Sequence, residues 1–470
     1  MPRVLLIRPL CEGRDPEFGE PLGIERLAGY LGAHGIAAEL LDRRLYAAER
    51  RAGLATDGAA GFWDDVRSLC AHGDEPQVIG FSLMTEGDVP DARRIASRLH
   101  ARYPHATIAF GGVFVTTAAA RARQLLPHDA VLLRGEGEAA LLALARGDEA
   151  ARGYVTPNEW ACPHRPYLER YARLGCAVAM QTSRGCPGIC TFCATPQLPQ
   201  ELRRWQGRAL DLVASEMAQV AARLEAADLP PVLNIVDDDA GPLSRLEALA
   251  GELRRQDLRV AWACEMRMAA LVRQPDLAGR LRALHEAGLT RLFVGVESLD
   301  AATLRAWKKH YDVSCLPEVL DAARTAGIAV QTGYMLWHAN QTVAGALGEV
   351  HRLHELGIYT HQAAISRLIV FLGSELGRTL GQAAAYQPMG AREETFYQRF
   401  CERTQELRER WVGAAIREPY AAAQAFLGED ASQLTAVREE LASVNEESYA
   451  QFLACHDEFV RMAGDDGGCP

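Results

Sequence analysis

The stretch "SRGCPGICTFCATP", residues 183–196, places three of the twelve cysteines of the chain within eight residues. Cys186, Cys190 and Cys193 follow the spacing C-x3-C-x2-C. Structural zinc requires four protein ligands, and catalytic zinc mostly uses histidine or carboxylate ligands, so neither kind of zinc site matches the motif. Thiolates are the usual ligands of iron–sulfur clusters, and three of them leave one iron of a [4Fe–4S] cluster open to a further ligand. The motif therefore predicts a [4Fe–4S] cluster with these three cysteines as metal ligands.

The composition is typical of a large globular protein with several domains. The chain has 470 residues, of which 49% are apolar, enough to fill ordinary cores. No stretch approaches the ~18 apolar residues that a membrane-spanning helix needs, and charged residues come too early at the N-terminus for a signal peptide. The net charge of -11 argues against a nucleic-acid partner, because phosphate binding requires a basic surface. We therefore expect a cytoplasmic protein with neither a membrane nor a nucleic-acid partner.

The first 150 residues alternate between short apolar runs and stretches with helical spacing of apolar residues. This alternation is typical of an α/β fold with a doubly wound parallel sheet, whose ligands bind at the carboxyl ends of the strands. The predicted strands are residues 4–9, 37–42, 77–83, 106–112 and 130–138.

The alternation resumes after residues 151–175, where the periodicity fades and an extended linker is expected. Six strand-like segments follow, and six β/α units predict an open partial barrel over residues 176–380. No strand pattern follows residue 380, so residues 381–470 are expected to form a helical C-terminal domain with an acidic surplus. The six predicted barrel strands are residues 177–183, 231–239, 258–268, 289–298, 327–336 and 359–370.

The cysteine loop and its position resemble the radical S-adenosylmethionine (SAM) superfamily. The shared features are the cysteine spacing, Phe192 before the third cysteine, the preceding "SRG" and the place after the first strand of a six-unit β/α region. The resemblance implies that the open iron chelates SAM. It also implies that an electron from the cluster cleaves SAM to a 5'-deoxyadenosyl radical, which abstracts hydrogen from the substrate.

The same resemblance suggests which side chains contact SAM at the ends of the barrel strands. The SAM ribose diol favours carboxylate acceptors, and its carboxylate favours an arginine. The expected cofactor-binding residues are Phe192, Asp238, Glu265, Arg267, Glu297, Ser298 and Tyr334. The expected catalytic residues, as proton-transfer partners of the substrate, are Asp239, Glu265 and His338.

The N-terminal region is similar to the cobalamin-binding domain of one radical SAM subfamily. The similarity lies in residues 21–42, 110–125 and 134–144, and it implies a Rossmann-like cobalamin-binding-type domain over residues 1–150. Three features depart from that pattern: the histidine motif D-x-H-x-x-G is missing, residues 113–116 read Val-Phe-Val-Thr, and Glu86 and Asp88 follow the third strand. Because bulky and acidic residues oppose a phosphate-bearing ligand, the sequence favours this fold without cobalamin, with cobalamin binding as the alternative.

The favoured function is radical dehydration of a small polar natural product that bears an amine, of the aminosugar or aminoglycoside type. A cobalamin-dependent radical SAM C-methyltransferase is the alternative. A tRNA methylthiotransferase fits less well, because it would add a second cluster and a basic RNA-binding module, and a non-enzymatic iron–sulfur protein is the remaining hypothesis. The expected partners are a small-molecule substrate, an electron donor of the flavodoxin or ferredoxin type and a partner reductase that completes the reaction.

Overall fold

The computed structural model describes residues 3–12, 19–54, 58–71, 75–150, 153–380, 386–428 and 430–465. The chain divides into two compact units. The first comprises Met1–Pro187, Ala194–Leu229 and Leu372–Ser374, and the second comprises Gly188–Cys193, Pro230–Phe371 and Glu375–Pro470. The start of the predicted linker, residues 151–152, and the end of the acidic C-terminus, residues 466–470, lie outside the described residues. This division by contacts does not test the predicted domain limits at residues 150, 175 and 380.

The first unit contains a five-stranded sheet in the order β2-β1-β3-β4-β5, and its strands pair in parallel. The doubly wound sheet predicted for this region is therefore confirmed. Its strands are β1 Arg3–Arg8, β2 Ala37–Asp42, β3 Val78–Ser82, β4 Thr107–Gly111 and β5 Val131–Leu132. Its helices are α1 Leu22–Ala33, α2 Arg43–Arg51, α3 Gly58–Ala71, α4 Val89–Arg102, α5 Val113–Thr117, α6 Ala119–Leu125 and α7 Glu138–Ala145.

Both faces of this sheet are buried, which explains why its central strands read as continuous apolar runs. Ile7 and Phe110 belong to a hydrophobic cluster on one face. Leu6 and Ala109 belong to a second cluster on the other face. Since successive residues of a strand point to opposite faces, a central strand must be apolar at nearly every position.

The predicted linker belongs to the first unit and is held there by buried ion pairs. Arg165 Nη1 lies 2.6 Å from Glu20 Oε2, and Arg165 Nη2 lies 3.2 Å from Glu216 Oε1. All three side chains are buried. The elements that complete this unit are α8 Leu168–Arg173, β6 Val178–Met180, β7 Ser183–Arg184, α9 Gln200–Arg203, β8 Gln206–Gly207 and α10 Leu210–Glu225.

The second unit contains four parallel strands in the order β12-β11-β10-β9, followed by a helical C-terminal region as predicted. The strands are β9 Val232–Ile235, β10 Ala261–Arg267, β11 Leu289–Glu297 and β12 Ala329–Tyr334. The helices before the C-terminal region are α11 Leu243–Arg255, α12 Met268–Leu271, α13 Leu277–Glu286, α14 Ala301–Ala306, α15 Leu316–Thr325 and α16 Val343–Glu355. Those that follow are α17 His361–Ile365, α18 Glu375–Leu380, α19 Ala391–Arg403, α20 Gln405–Leu427 and α21 Ser432–Asp465.

The prediction of a sixth barrel strand at residues 359–370 is wrong. Its first half forms α17, because the Thr360 side chain accepts a hydrogen bond from the Ala363 backbone and caps the helix. Its second half contributes two isolated bridges, a parallel one between Trp337 and Arg367 and an antiparallel one between Ile369 and Tyr386. Among the described helices, none has the length and the apolar character that crossing a membrane would demand.

Candidate functional site

The cysteine loop begins in the first unit at a glycine that no other residue can replace without strain. Gly185 has φ 82°, and a Cβ there would lie 2.6 Å from the Arg204 carbonyl oxygen and 2.7 Å from that of Arg203. The backbone of Cys186 donates a hydrogen bond to the same Arg203 carbonyl, at 3.0 Å. The glycine of "SRG" therefore allows the backbone at Cys186 to lie against α9 and the residue after it.

The second half of the loop belongs to the second unit. Thr191 N donates to the Trp307 carbonyl at 3.2 Å, and the Phe192 ring meets the Trp307 indole edge-on, with centroids 5.6 Å apart. Cys193 N donates to the Cys190 carbonyl at 3.2 Å, which closes a tight turn between these two cysteines. The loop is thus fixed by backbone hydrogen bonds and one aromatic contact.

Cys190 and Cys193 are suited to bind a cluster. Both are partly exposed and free of disulfides, and the positive charge of Lys309 acts on the Cys190 thiol. Burial raises the pKa of Cys190, while Lys309 opposes this shift. Among the described residues, no three cysteine, histidine or carboxylate side chains converge on a single metal ion. A [4Fe–4S] cluster does not require such convergence, because it holds each thiolate on a different iron.

A strained glutamate lies beside this loop at the end of β11. Glu297 has φ 72°, which is rare for a residue with a side chain and commonly marks a functional position. Its Oε1 lies 3.0 Å from Lys309 Nζ. Gly295 leaves room for this pair, because a Cβ there would lie 2.7 Å from Glu297 Oε1.

A second ion pair joins the ends of β9 and β10. Arg267 Nε donates to Asp239 Oδ2 at 2.7 Å, and Asp239 is buried whereas Arg267 is partly exposed. Asp238 is exposed and Glu265 is partly buried. The cations of Arg267 and Lys309 suit the SAM carboxylate, and the carboxylates suit its hydroxyl and amino groups, so the residues present fit SAM.

Two of the predicted SAM ligands are engaged elsewhere in this structure. The Ser298 hydroxyl lies 3.2 Å from Glu349 Oε2, and the Tyr334 hydroxyl donates to the same oxygen. Both side chains are buried, and burial raises the pKa of Tyr334 well above its ordinary value. These contacts hold α16 against the strand ends, and a direct contact of either side chain with SAM stays a prediction.

His338 is buried against Trp307. Its ring meets the indole edge-on, with centroids 5.1 Å apart. Burial lowers the pKa of His338, and the charges of Glu349 and Asp300 partly offset this shift. Since Trp307 also contacts Phe192, the predicted catalytic histidine belongs to an aromatic cluster behind the loop, and its catalytic role stays a prediction.

In the first unit, the structure removes two arguments against cobalamin. Phe114 and Val115 do not project from the sheet edge, because α5 turns them into the hydrophobic core. Asp88 is buried and lies 2.7 Å from Arg44 Nη2, and Glu86 lies 2.6 Å from Arg121 Nη2. Because an arginine neutralises each carboxylate, neither opposes a phosphate-bearing ligand.

The same edge offers a surface that fits cobalamin. Met84, which follows β3, is an exposed apolar side chain and suits the apolar face of a large ring. Gly135 has φ 83°, and the nearest atom to a Cβ there would be Leu202 Cδ1, at 3.8 Å. Bare backbone at the carboxyl ends of parallel strands is where a doubly wound sheet binds its ligand.

Sequence reasoning missed Lys309, His361 and Arg367. Lys309 belongs to the cationic run of residues 308–310, which is unusual in an acidic chain and could have drawn attention. His361 and Arg367 lie in the segment mistaken for a strand. Recognising Thr360 as a helix cap would have been the signal for that segment.

A doubly wound parallel domain joined to parallel β/α units that carry a C-x3-C-x2-C loop is the arrangement expected of a radical SAM protein of the cobalamin-domain class. Comparison with family models agrees: the radical SAM superfamily matches residues 180–341, and the B12 binding domain matches residues 16–145. The chain therefore carries a radical SAM domain and a B12-binding domain.

Curated relatives include the hopanoid C-3 methylase of Methylococcus capsulatus, which is 27% identical over 340 residues. That alignment covers 66% of this chain and 60% of the relative, so it spans less than two thirds of the relative's length. The anaerobic magnesium-protoporphyrin IX monomethyl ester cyclase of Synechocystis is 24% identical over 69% of this chain and 67% of its own length.

Solved structures show the same fold. The cobalamin-dependent SAM radical enzyme OxsB with aqua-cobalamin bound has a TM-score of 0.70 at 13% identity, over 99% of this chain and 81% of its own. The radical SAM methyltransferase TsrM from Kitasatospora setae, with tryptophan and a SAM analogue bound, has a TM-score of 0.60 at 17% identity, over 80% and 75% of the two chains.

Proposed function

We propose that this protein is a cobalamin-dependent radical SAM C-methyltransferase that acts on a small molecule. The observation that carries the proposal is the presence of a radical SAM domain and a B12-binding domain in one chain. The ion pairs of Glu86 and Asp88 support it, because they leave the sheet edge without uncompensated negative charge. The names of the hopanoid methylase and of TsrM also favour methyl transfer.

The bound cofactors would supply the reactive groups: the cluster and one SAM provide the 5'-deoxyadenosyl radical, and cobalamin carries a methyl group from a second SAM, at two electrons per turnover. Cys186, Cys190 and Cys193 would hold the cluster. Arg267 and Lys309 would neutralise the SAM carboxylate, while Glu265 and Glu297 would accept hydrogen bonds from its hydroxyl and amino groups.

Radical dehydration of an aminosugar receives less support than methyl transfer. The sequence favours dehydration because bulky and acidic residues oppose cobalamin, and the structure turns those residues into the core or pairs them with arginines. Methyl transfer to a carbon radical also needs no acid or base. The proposal therefore does not depend on Asp239, Glu265 or His338 as proton carriers.

We also propose that the electron donor is an acidic protein of the flavodoxin or ferredoxin type. A concavity of the second unit is lined by five basic residues, here called the basic surface: Arg273, Arg305, Lys308, Lys309 and His310. Asp312 is the acidic residue in this lining, and Lys308 and Lys309 are paired with Glu375 and Glu297. The positive charge offered to a donor therefore rests on Arg273 and Arg305. The surface adjoins Trp307, which contacts Phe192 of the cysteine loop, so a donor bound there lies close to the cluster.

The test is to analyse the products of SAM in anaerobically reconstituted protein with titanium(III) citrate, with and without hydroxocobalamin. Methyl transfer predicts S-adenosylhomocysteine only when cobalamin is present, and 5'-deoxyadenosine in both samples. C190A should lose 5'-deoxyadenosine, whereas C162A, a change at an exposed cysteine outside the loop, should not. Formation of 5'-deoxyadenosine with no S-adenosylhomocysteine in the cobalamin sample would contradict the proposal.

A further inference from the structure

A cavity of about 630 Å³ lies within the second unit beside the cysteine loop. Phe192, which precedes Cys193, lines it together with Tyr334 at the end of β12. Phe371, Tyr386 and Tyr397 add aromatic surface, and the first two of these are exposed. This volume is within the range of small-molecule sites. A small molecule in the cavity therefore meets apolar ring faces next to the loop that is predicted to hold the cluster.

His361 lines the same cavity, and a hydrogen-bonded chain of two hydroxyl groups reaches one of its ring nitrogens. Its Nδ1 lies 2.9 Å from Ser448 Oγ, and Ser448 Oγ lies 2.9 Å from the Tyr359 hydroxyl. Burial raises the pKa of Tyr359, so this hydroxyl keeps its proton, and Ser448 is its hydrogen-bond partner within the described residues. When Tyr359 donates to Ser448 and Ser448 donates to His361 Nδ1, the imidazole proton lies on Nε2.

That Nε2 proton is a buried donor. Within the part of the chain that the structure describes, His361 Nε2 has no hydrogen-bond acceptor, and the residue is fully buried. Burial and the positive charge of Arg408 lower the pKa of His361 to about 4, so the ring is neutral near pH 7. A buried N–H without an acceptor is destabilising, so occupancy by a group that accepts this hydrogen bond is favoured.

Arg367 provides a second donor on the same cavity. Its two terminal nitrogens bind Glu394, at 3.1 and 2.9 Å. Its guanidinium carbon lies 5.0 Å from the Tyr386 ring centroid and 4.9 Å from that of Tyr397, so the plane of the group is held in place. Its Nε is buried and has no acceptor among the described residues. Because Glu394 neutralises the charge, Arg367 offers a directed N–H rather than a net positive field.

We propose that this cavity is the substrate site, and that the substrate has an apolar, ring-bearing body with oxygen acceptors that bind His361 Nε2–H and Arg367 Nε–H. This inference rests on the proposed function for the reaction itself. It changes the expected substrate class. An ammonium group has only donors, so it cannot satisfy either N–H, whereas a carboxylate, carbonyl or hydroxyl oxygen can. The amine expected from the acidic C-terminal sequence does not match these two donors.

The test uses two probes with similar bodies, phenylacetate and phenethylamine, titrated by ligand-observed NMR into anaerobic full-length protein with reconstituted cluster and SAM. In H361N the amide oxygen lies near the position of Nδ1 and can accept from Ser448, but the Nε2 donor is removed. In H361Q the amide nitrogen can place an N–H near the position of Nε2. R367K keeps the charge beside Glu394 and removes Nε–H. H354N, a change at a partly exposed histidine of α16, is the matched control.

We expect phenylacetate to bind the wild type, H361Q and H354N, and to bind H361N and R367K about tenfold more weakly or worse. Phenethylamine should bind all of them more weakly than phenylacetate binds the wild type. Equal binding of phenylacetate to H361N and the wild type, a preference for phenethylamine, or binding of neither probe would overturn the inference.

Cobalt uptake and S-adenosylhomocysteine formation by the wild type are measured on the same samples. If phenylacetate and phenethylamine do not bind in the expected order but cobalt uptake and S-adenosylhomocysteine formation are normal, only the proposed substrate class is rejected. If the two probes bind as expected but no cobalt is taken up and no S-adenosylhomocysteine forms, only methyl transfer is rejected.

Discussion

His361 has two ring nitrogens with different surroundings, and this difference determines what the residue can do. One nitrogen completes a hydrogen-bonded chain through Ser448 to Tyr359. The other is buried without an acceptor among the described residues. The fold therefore engages one nitrogen and leaves the other for a ligand.

The buried histidine should also make stability depend on pH. The pKa of His361 falls from 6.5 to about 4 on folding, because the ring is buried and Arg408 of α20 is close. Between these values the unfolded chain binds a proton that the folded chain does not, so stability decreases as the pH falls from 6.5 towards 4. Between pH 7 and pH 5 we expect the wild type to lose about 2 kcal/mol more than H361N, as measured by urea unfolding. An equal loss in both proteins would show that His361 is not buried as described.

Gly295 is a second position, at which adding a single Cβ atom should weaken SAM binding. In G295A the new Cβ would lie 2.7 Å from Glu297 Oε1 and 3.1 Å from Lys309 Nζ, so the ion pair must move. We expect SAM to bind at least about tenfold more weakly, because a charge-assisted contact is worth about 1.5–3 kcal/mol. Equilibrium dialysis of SAM with reconstituted protein measures this. G251A, at a helical glycine of α11 with open space around it, should bind SAM normally, and normal binding by G295A would show that the pair does not hold SAM.

At the scale of elements, the two parallel sheets bring together side chains that are far apart in sequence. The turn after β3 is one case. Asp88 accepts hydrogen bonds from the backbones of Met84 and Thr85, at 2.7 and 2.9 Å, and pairs with Arg44 of α2. The carboxyl edge of the first sheet is therefore shaped by one buried carboxylate and its arginine.

Removing that arginine should damage the edge. R44M leaves a buried charge without its ion pair, which typically costs about 3–5 kcal/mol. It should also lower hydroxocobalamin uptake, because the turn that carries Met84 loses its support. R44M/D88N should recover most of the stability, and R121Q at the more exposed pair with Glu86 should change it little. Chemical unfolding and cobalt analysis report both effects, and unchanged stability in R44M would mean that the pair does not shape this turn.

At the scale of the whole molecule, charge is unevenly distributed. The chain has a net charge of -11, yet the basic surface gathers five of its cationic or titratable side chains around one concavity. Such a field attracts an acidic protein and makes the association rate sensitive to salt.

Charge reversal on the basic surface should slow electron delivery. In R273E/R305E we expect reduction by flavodoxin to slow about tenfold at low salt, with a smaller difference at high salt. Reduction by dithionite, which is small and needs no docking surface, should be unchanged. R324E on α15 reverses a charge that is paired with Asp321 outside this surface and serves as the control. Equal flavodoxin rates in R273E/R305E and R324E would place the donor elsewhere.

The sequence predicted the parts of this protein that depend on local pattern. Strand and helix alternation, the cysteine spacing and the acidic strand ends are all readable along the chain. Pairing across elements is not, so the partners of Glu86, Asp88 and Glu297 were missed, and Phe114 was mistaken for a side chain at the ligand edge. The prediction of a strand at residues 359–370 was wrong for a different reason. The stretch is apolar, and its pattern alone did not distinguish a strand from a helix that a side-chain hydroxyl caps.

Cobalamin-dependent methyl transfer is tested most directly by a metal and cofactor analysis of anaerobically reconstituted protein. Iron, sulfide and cobalt are measured alongside the visible spectrum after incubation with hydroxocobalamin. Cobalamin-dependent methyl transfer with a [4Fe–4S] cluster predicts about four irons and four sulfides per chain and stoichiometric cobalt retained through gel filtration. It also predicts that C186A, C190A and C193A each lose the cluster while keeping cobalt. Four irons with no retained cobalt would contradict cobalamin-dependent methyl transfer and would favour radical chemistry on the substrate without cobalamin.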